Sequence, residues 1–364
     1  MRLGWRELVR RPGRFLAAGG ALTLIVILLL LLGGLLDGLA RASTGAYRAQ
    51  SAEVIVYSVE SRDSLLRSRI KPEIEDRIRA VDGVVDVSGL GVVLIGGTIP
   101  RGFGTADLAV FGYEEANARV PAPPEPGWGY ADRTLEADGL RLGDTISVGP
   151  ARIPVRIVGW VQDTRYLAQS GLWVNPETWR EVLVTSRPDA ALGPDTFQVA
   201  LVQTDQPAEA LAERIQTTVP GTTPLTIDEA ILALPGVEAQ SSTFFQIISV
   251  TFVVAGLVVA LFFALVVLER LGLFGMLKAV GASSGQLAAG LVTQATLVAL
   301  GAFALGGLVA LGLSLVIPAE VPVDLEPRRA VLTAVGVLVT ALIGSAISFR
   351  RIVRIDPASA VGGS

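Results

Sequence analysis

The chain reads as an α-helical membrane protein with four transmembrane helices, one near the start and three near the end. A mixed α+β extracytoplasmic domain is inserted between the first and second helices. Three observations predict this. Apolar residues make up 51% of 364 positions and mean hydropathy is positive, which points to membrane spans rather than one large soluble core. Uncharged apolar runs fill 15–36, 244–268, 287–317 and 330–349, long enough at ~1.5 Å per residue to cross ~30 Å of hydrocarbon. Residues 37–243 are polar, of soluble-domain size, and alternate between strand-like and helix-like patterns.

In order, residues 1–14 place Arg2, Arg6 and Arg10 four apart beside Trp5. This suits either a basic helix lying along the membrane interface or a charged flank. The run 15–36 is longer than the ~7–15 residues of a signal-peptide core, so it is expected to stay as an anchor. Arg2, Arg6, Arg10, Arg11 and Arg14 precede it, whereas Arg41 and Arg48 after it are offset by Asp37 and Glu53. The bias places the N-terminus in the cytoplasm and residues 37–243 outside.

Within 37–243 the two ends share one order. Glu53–Val59 reads as strand, Pro72–Ala80 as helix and Val84–Ile95 as strand; Thr196–Val202, Pro207–Thr217 and Thr222–Ile227 repeat it. Two β-α-β units predict one subdomain assembled from both ends, with a β-rich middle at about 105–190 inserted. In that middle, Asn175 and Pro176 have the residue types of a helix start. Trp128-Gly129-Tyr130 reads either as a contact for a lipid or peptide or, more often for such a pair, as a local packing anchor, and Arg165-Tyr166-Leu167 as a loop available to a partner.

Of the last three spans, the final one carries Gly336, Thr340, Gly344 and Ser348 four apart. Such a stripe lets another helix approach closely, within the chain or in a second subunit. With Arg350, Arg351 and Arg354 in the tail, both termini fall on the cytoplasmic side of an inner (cytoplasmic) membrane, and Arg328-Arg329 is the one flank that breaks the pattern.

Composition excludes several functions. A net charge of −4 without a basic block outside the flanks argues against nucleic acid. Histidine and cysteine are absent, which removes disulfides, thiol nucleophiles, histidine triads and the usual zinc ligands. No cofactor or catalytic residue is expected, and the adjacent Glu114-Glu115 reads as a solvated pair. Charge-free span cores argue against an ion-coupled carrier. The chain has only Lys71 and Lys278 and no Gly-Lys dipeptide, so it contains no Walker A loop. Any ATP is bound by another polypeptide.

Between the second and third spans lies a polar break, Glu269–Gln286. Leu273, Leu277 and Val280 recur at helical spacing, Gly281 stands where a helix C-terminus favours glycine, and Ser283 precedes Gln286 at capping-box spacing. The break, residues Glu269, Arg270, Phe274, Gly275, Leu277, Lys278, Ala279, Gly281, Ala282 and Ser283, resembles the cytoplasmic segment of FtsX/MacB-type ABC transporter permeases. The tail Arg350–Ala358 with Asp356-Pro357 is similar to that family's ending, and Arg14-Phe15-Leu16 with Gly38-Leu39 resembles DevC-like members.

The resemblance implies a permease domain at 244–361 with a coupling helix at 269–282. It further implies a separate ABC ATPase subunit as partner, and a dimer with a second copy or a sister permease. A periplasmic adaptor would be compatible with it, and its transport would concern a lipid, lipoprotein, peptide or drug. On this reading Glu269, Arg270 and Lys278 make polar contacts to the ATPase, Phe274 and Leu277 fill its groove, and Gly275 and Gly281 belong to the same coupling segment. The alternative is a non-transport membrane receptor or scaffold that regulates an extracytoplasmic partner.

Overall fold

A computed structural model describes residues 12–100, 104–269, 276, 280–281, 283–317 and 321–353. The chain divides into two compact units, residues 1–38 with 241–364, and residues 39–240.

The first unit is helical. Helix α1 (Pro12–Arg48) contributes its part up to Gly38, followed in sequence by α6 (Val237–Leu268) from Ser241 on, α7 (Ser284–Ser314) and α8 (Pro327–Val353). All four are long and apolar enough to cross a membrane. Their bounds differ from the apolar runs. Helix α1 continues past Leu36 to Arg48 because its polar residues find partners, Asp37 with Arg329 and Arg48 with Asp163. Helix α6 starts ahead of 244, at Val237. Helix α7 starts at Ser284, set by the capping box of Ser283 and Gln286, and α8 opens on Pro327, whose fixed φ suits a first helical turn. The core joins Leu22, Val26 and Leu29 of α1 with Ala255, Val259 and Phe263 of α6, Ala295, Ala299 and Ala302 of α7, and Val337 and Ala341 of α8.

The second unit holds β1 (Val54–Ser58), α2 (Pro72–Arg79), β2 (Asp86–Thr98), β3 (Thr105–Tyr113), β4 (Trp128–Asp132), β5 (Thr145–Val148), β6 (Ile153–Val161), β7 (Ser170–Val174) and α3 (Pro176–Ser186). After these come β8 (Val199–Gln203), α4 (Ala208–Thr218), β9 (Thr222–Thr226) and α5 (Ile227–Leu232). The two ends assemble one antiparallel sheet in the order β2-β8-β1-β9. Its strands alternate between two buried faces. Val54 and Val56 pack with Ile78 of α2 and Leu211 and Ile215 of α4, whereas Ile55 and Tyr57 face the other core.

The middle strands close on themselves. β2 pairs with β3, β3 with β7, β7 with β4, β4 with β6, β6 with β5, and β5 returns to β2. This ring removes exposed edges. Strand β2 serves both structures: Asp86–Leu90 pairs with β8, and Leu90–Thr98 pairs with β3. Leu108, Val110, Ile146, Val155 and Leu172 fill one core together with Trp179 from α3. Gly91 and Gly112 leave the space that Trp179 occupies.

Candidate functional site

The polar break is described at Glu269, Met276, Val280, Gly281 and from Ser283 onward; Arg270, Phe274, Gly275, Leu277 and Lys278 lie outside the described residues. The Glu269 N–H donates to the Leu265 carbonyl at 3.0 Å, extending the helical ladder of α6. The Val280 N–H donates to the Met276 carbonyl at 3.0 Å, a helical spacing, and Gly281 follows at φ +100°. A left-handed residue there ends a helix at little cost only when it is glycine. Ser283 Oγ accepts from the Gln286 N–H and Gln286 Oε1 from the Ser283 N–H, both at 3.2 Å. Met276 is 59% exposed and Val280 88%. The break thus presents apolar side chains outward beside polar ones.

On α8 the small-residue stripe faces α6. A Cβ on Gly336 would fall 2.6 Å from the Phe252 ring, and one on Gly344 would fall 2.9 Å from the Gly256 carbonyl oxygen. A Cβ on Gly256 would stand 3.0 Å from Thr340 Cγ2. Three of the four residues therefore pack within the chain; nothing is described for the Ser348 side chain.

Sequence reasoning missed a second stripe, on α1. Gly33 and Gly34 admit Arg329 and Leu325, with would-be Cβ distances of 2.5 and 2.9 Å, and Gly38 lies against the Pro322 carbonyl. The Asp324 N–H donates to the Gly34 carbonyl at 2.8 Å. Arg329 meets the Asp37 carboxylate with two guanidinium nitrogens. Arg329 of the flank that broke the charge pattern is thus paired with an acid at the end of another span.

A third feature lies inside the second unit. The Leu167 and Ala168 N–H groups donate to the Ser43 and Ala42 carbonyls of α1, both at 3.1 Å, and the Ala46 N–H donates to the Arg165 carbonyl at 2.9 Å. Gly45 makes the approach feasible, since a Cβ there would be 2.7 Å from the Asp163 carbonyl oxygen. Asp163, Leu167 and Ala168 adopt φ of +53°, +49° and +66°, a region that disfavours side chains. Asp163 pairs with Arg48 at 2.7 Å and with Arg119. Tyr166 is buried, edge-on to Tyr47 and Phe111, and burial pushes its phenol well above the usual range. The segment Arg165-Tyr166-Leu167 is therefore not a loop held out to a partner. It clasps the end of α1, because a tyrosine beside a chain reversal gains more from burial than from exposure.

The Glu114-Glu115 pair is occupied locally. Glu114 Oε2 accepts from the Gly89 N–H at 2.6 Å. The Glu115 carboxyl is pushed up to about 7, first by its hydrogen bond to Asp86, then by partial burial and by repulsion from Asp86 and Glu114. Among the described residues no group of three or more acids could hold a metal ion. Trp128 stands half-exposed at the start of β4, and the Tyr130 ring lies against Gly159.

Residues 245–357 match the family model described as FtsX-like permease C-terminal. A protein of Staphylococcus epidermidis named as a hemin transport system permease, HrtB, is 21% identical over 367 residues, covering 100% of this chain and 99% of the relative. An uncharacterized ABC transporter permease of Mycobacterium bovis is 26% identical over 373 residues, covering 98% of each. The solved extracellular domain of the transporter YknZ from Gram-positive bacteria, 14% identical, covers 48% of this chain and 100% of that domain at a TM-score of 0.34. The C-terminal match covers α6 from residue 245, α7, α8 and the polar break, and the two permease relatives are similar to the chain from end to end.

Proposed function

We propose that this chain is the membrane subunit of an ABC exporter or mechanotransmission complex, working as a dimer with a second copy or a sister permease and driven by a separate ATPase. The observation that carries the reading is the FtsX-like match over residues 245–357, which contains the polar break. Closure of the ATPase pair pushes on residues 269–282 on the cytoplasmic side. Phe274 and Leu277, with the exposed Met276 and Val280, supply apolar contact; Glu269, Arg270 and Lys278 supply polar contact; Gly275 lets the segment sit close, and Gly281 ends it. Helix α1 passes the movement to the outer unit through the clasp of Gly45 with residues 163–168. The outer unit then moves a lipid, lipoprotein, peptide or drug, with a periplasmic adaptor as an optional partner. The DevC-like subgroup rests on Arg14-Phe15-Leu16 and Gly38-Leu39 alone.

The name of the staphylococcal relative adds hemin to the candidate cargoes. With no histidine or cysteine in the chain, hemin would be held here without the axial ligands most haem proteins use. The test is co-purification of the chain with a candidate ABC ATPase subunit. Replacing Phe274 and Lys278 is expected to abolish stimulated ATP hydrolysis while membrane insertion persists, and unchanged stimulation would remove the assigned role. Failure to recover any nucleotide-binding subunit would favour the receptor or scaffold.

A further inference from the structure

The turn that clasps α1 is held at both feet by one buried carboxylate. Asp132, the last residue of β4, is 1% exposed. Its Oδ2 accepts from the Thr164 N–H at 2.9 Å and from the Thr164 hydroxyl at 2.7 Å. Its Oδ1 accepts from the Thr134 N–H at 3.0 Å and from the Thr134 hydroxyl at 2.8 Å. Thr134 Oγ1 also lies 2.9 Å from Ser170 Oγ. The single Thr134 hydroxyl proton is committed to the carboxylate, so Ser170 is the donor there. Thr164 leads into the turn, and Ser170, the first residue of β7, leads out of it. Four donors thus converge on one side chain. Only a carboxylate, which accepts at both oxygens, takes all four; an asparagine would turn its NH2 toward two of them.

Between these feet the chain reverses. Tyr166 and Gln169 exchange N–H to carbonyl bonds at 3.0 and 2.9 Å around Leu167 and Ala168, both at positive φ. Two such central residues are the pattern of a type I′ turn, which Asn-Gly ordinarily supplies. Here side chains occupy both positions, and so costly a conformation persists only where its surroundings dictate it. In this form the Leu167 and Ala168 N–H groups reach the α1 carbonyls. We propose that Asp132 is the positioning residue of the clasp: by pinning Thr164 directly and Ser170 through Thr134, it holds the turn in the form that bonds α1. Pinned feet leave the turn little freedom to lose on bonding, so the contact is preorganised. Strand β4 pairs with β6 on one side and β7 on the other, so the same carboxylate ties the turn to three neighbouring strands of the ring. A pull of α1 on the turn then reaches those strands rather than a loose loop. That transfer rests on the proposed passage of movement through α1, whereas the pinning does not.

Hydrogen exchange on the full chain in nanodiscs tests the pin at the Leu167 and Ala168 amides. Thr164→Val removes one hydroxyl donated to the carboxylate at nearly unchanged shape, and exchange there should rise about tenfold. Asp132→Asn should raise it further, while Thr164→Ser, which keeps the hydroxyl, should stay near the parent rate. The amides of β8, which pairs with β1 and β2, should keep their parent rates in all three. Parent rates at Leu167 and Ala168 in Thr164→Val, or equal effects of Thr164→Val and Thr164→Ser, would overturn the proposal. So would an equal rise in β8, since Asp132 would then be a general support of the fold. Should Asp132→Asn fail to fold, the two Thr164 variants decide. Recovery of an ATPase subunit with the same preparations separates this outcome from failure of the permease reading: the expected exchange pattern in a chain that recovers no ATPase retains the pin and removes only the transfer.

Discussion

Replacing Gly45 by alanine tests the clasp that holds residues 163–168 against the end of α1. The added methyl would sit 2.7 Å from the Asp163 carbonyl oxygen, a backbone atom that cannot rotate away. Three main-chain hydrogen bonds hold the loop to α1, worth ~1 kcal/mol each. Burial of Tyr166 adds ~2 kcal/mol, and the half-exposed Arg48–Asp163 pair about 0.5 kcal/mol. Against these, three left-handed residues other than glycine cost ~1 kcal/mol each. The loop is therefore held by only ~2–3 kcal/mol, close to the ~1–3 kcal/mol that overpacking costs. The gain of ~1 kcal/mol from alanine in a helix accrues whether the clasp is open or closed. Opening eased by ~1.4 kcal/mol corresponds to roughly tenfold faster amide exchange. Hydrogen exchange on the full chain in nanodiscs should show this at Ala46, Leu167 and Ala168, with more in Gly45→Val, and the coupled ATPase should lose its response to cargo. Native exchange rates in Gly45→Val with coupling intact would refute the reasoning.

Three further outcomes follow. Asp37→Asn leaves Arg329 short of its charge partner and should lower thermal stability in detergent by ~1–3 kcal/mol; the exchange Asp37→Arg with Arg329→Asp should recover part of it. Gly344→Leu drives a side chain into the α6 backbone beside Gly256 and Ala260, so thermal unfolding should show a loss of ~1–3 kcal/mol or more, whereas Gly290→Leu, with open space at its Cβ position, should be near neutral. Glu115 keeps its proton in the folded state up to about pH 7, against 4.5 ordinarily. Its contribution is therefore fully present below 4.5 and lost as pH rises through 7. The stability of Glu115→Gln relative to the parent should grow from pH 5 to pH 8, and a difference that does not change with pH would contradict the shift.

Much of the fold could be read where local chemistry decides it. Ser283 with Gln286, and Asn175 with Pro176, announced helix starts that the structure contains, because a cap is made by residues a few positions apart. The two β-α-β ends could be matched by their order, and they do form one sheet. Closure of the middle strands could not be foreseen, since β2 pairs with partners both near and more than a hundred residues away. Gly45 looks like a mere weakness in a helix until the loop on it is seen. Arg328-Arg329 was visible as an exception to the charge pattern, but its resolution lies 292 residues away in Asp37.

Force that enters at the break near Met276 and reaches residues 39–240 across the bilayer requires the two to lie on opposite sides of the membrane. Single cysteines at Met276 and at the exposed Val59, probed in intact cells with a membrane-impermeant maleimide, test it most directly. Val59→Cys is expected to label from outside and Met276→Cys only after lysis. Labelling of both from the same side would contradict it.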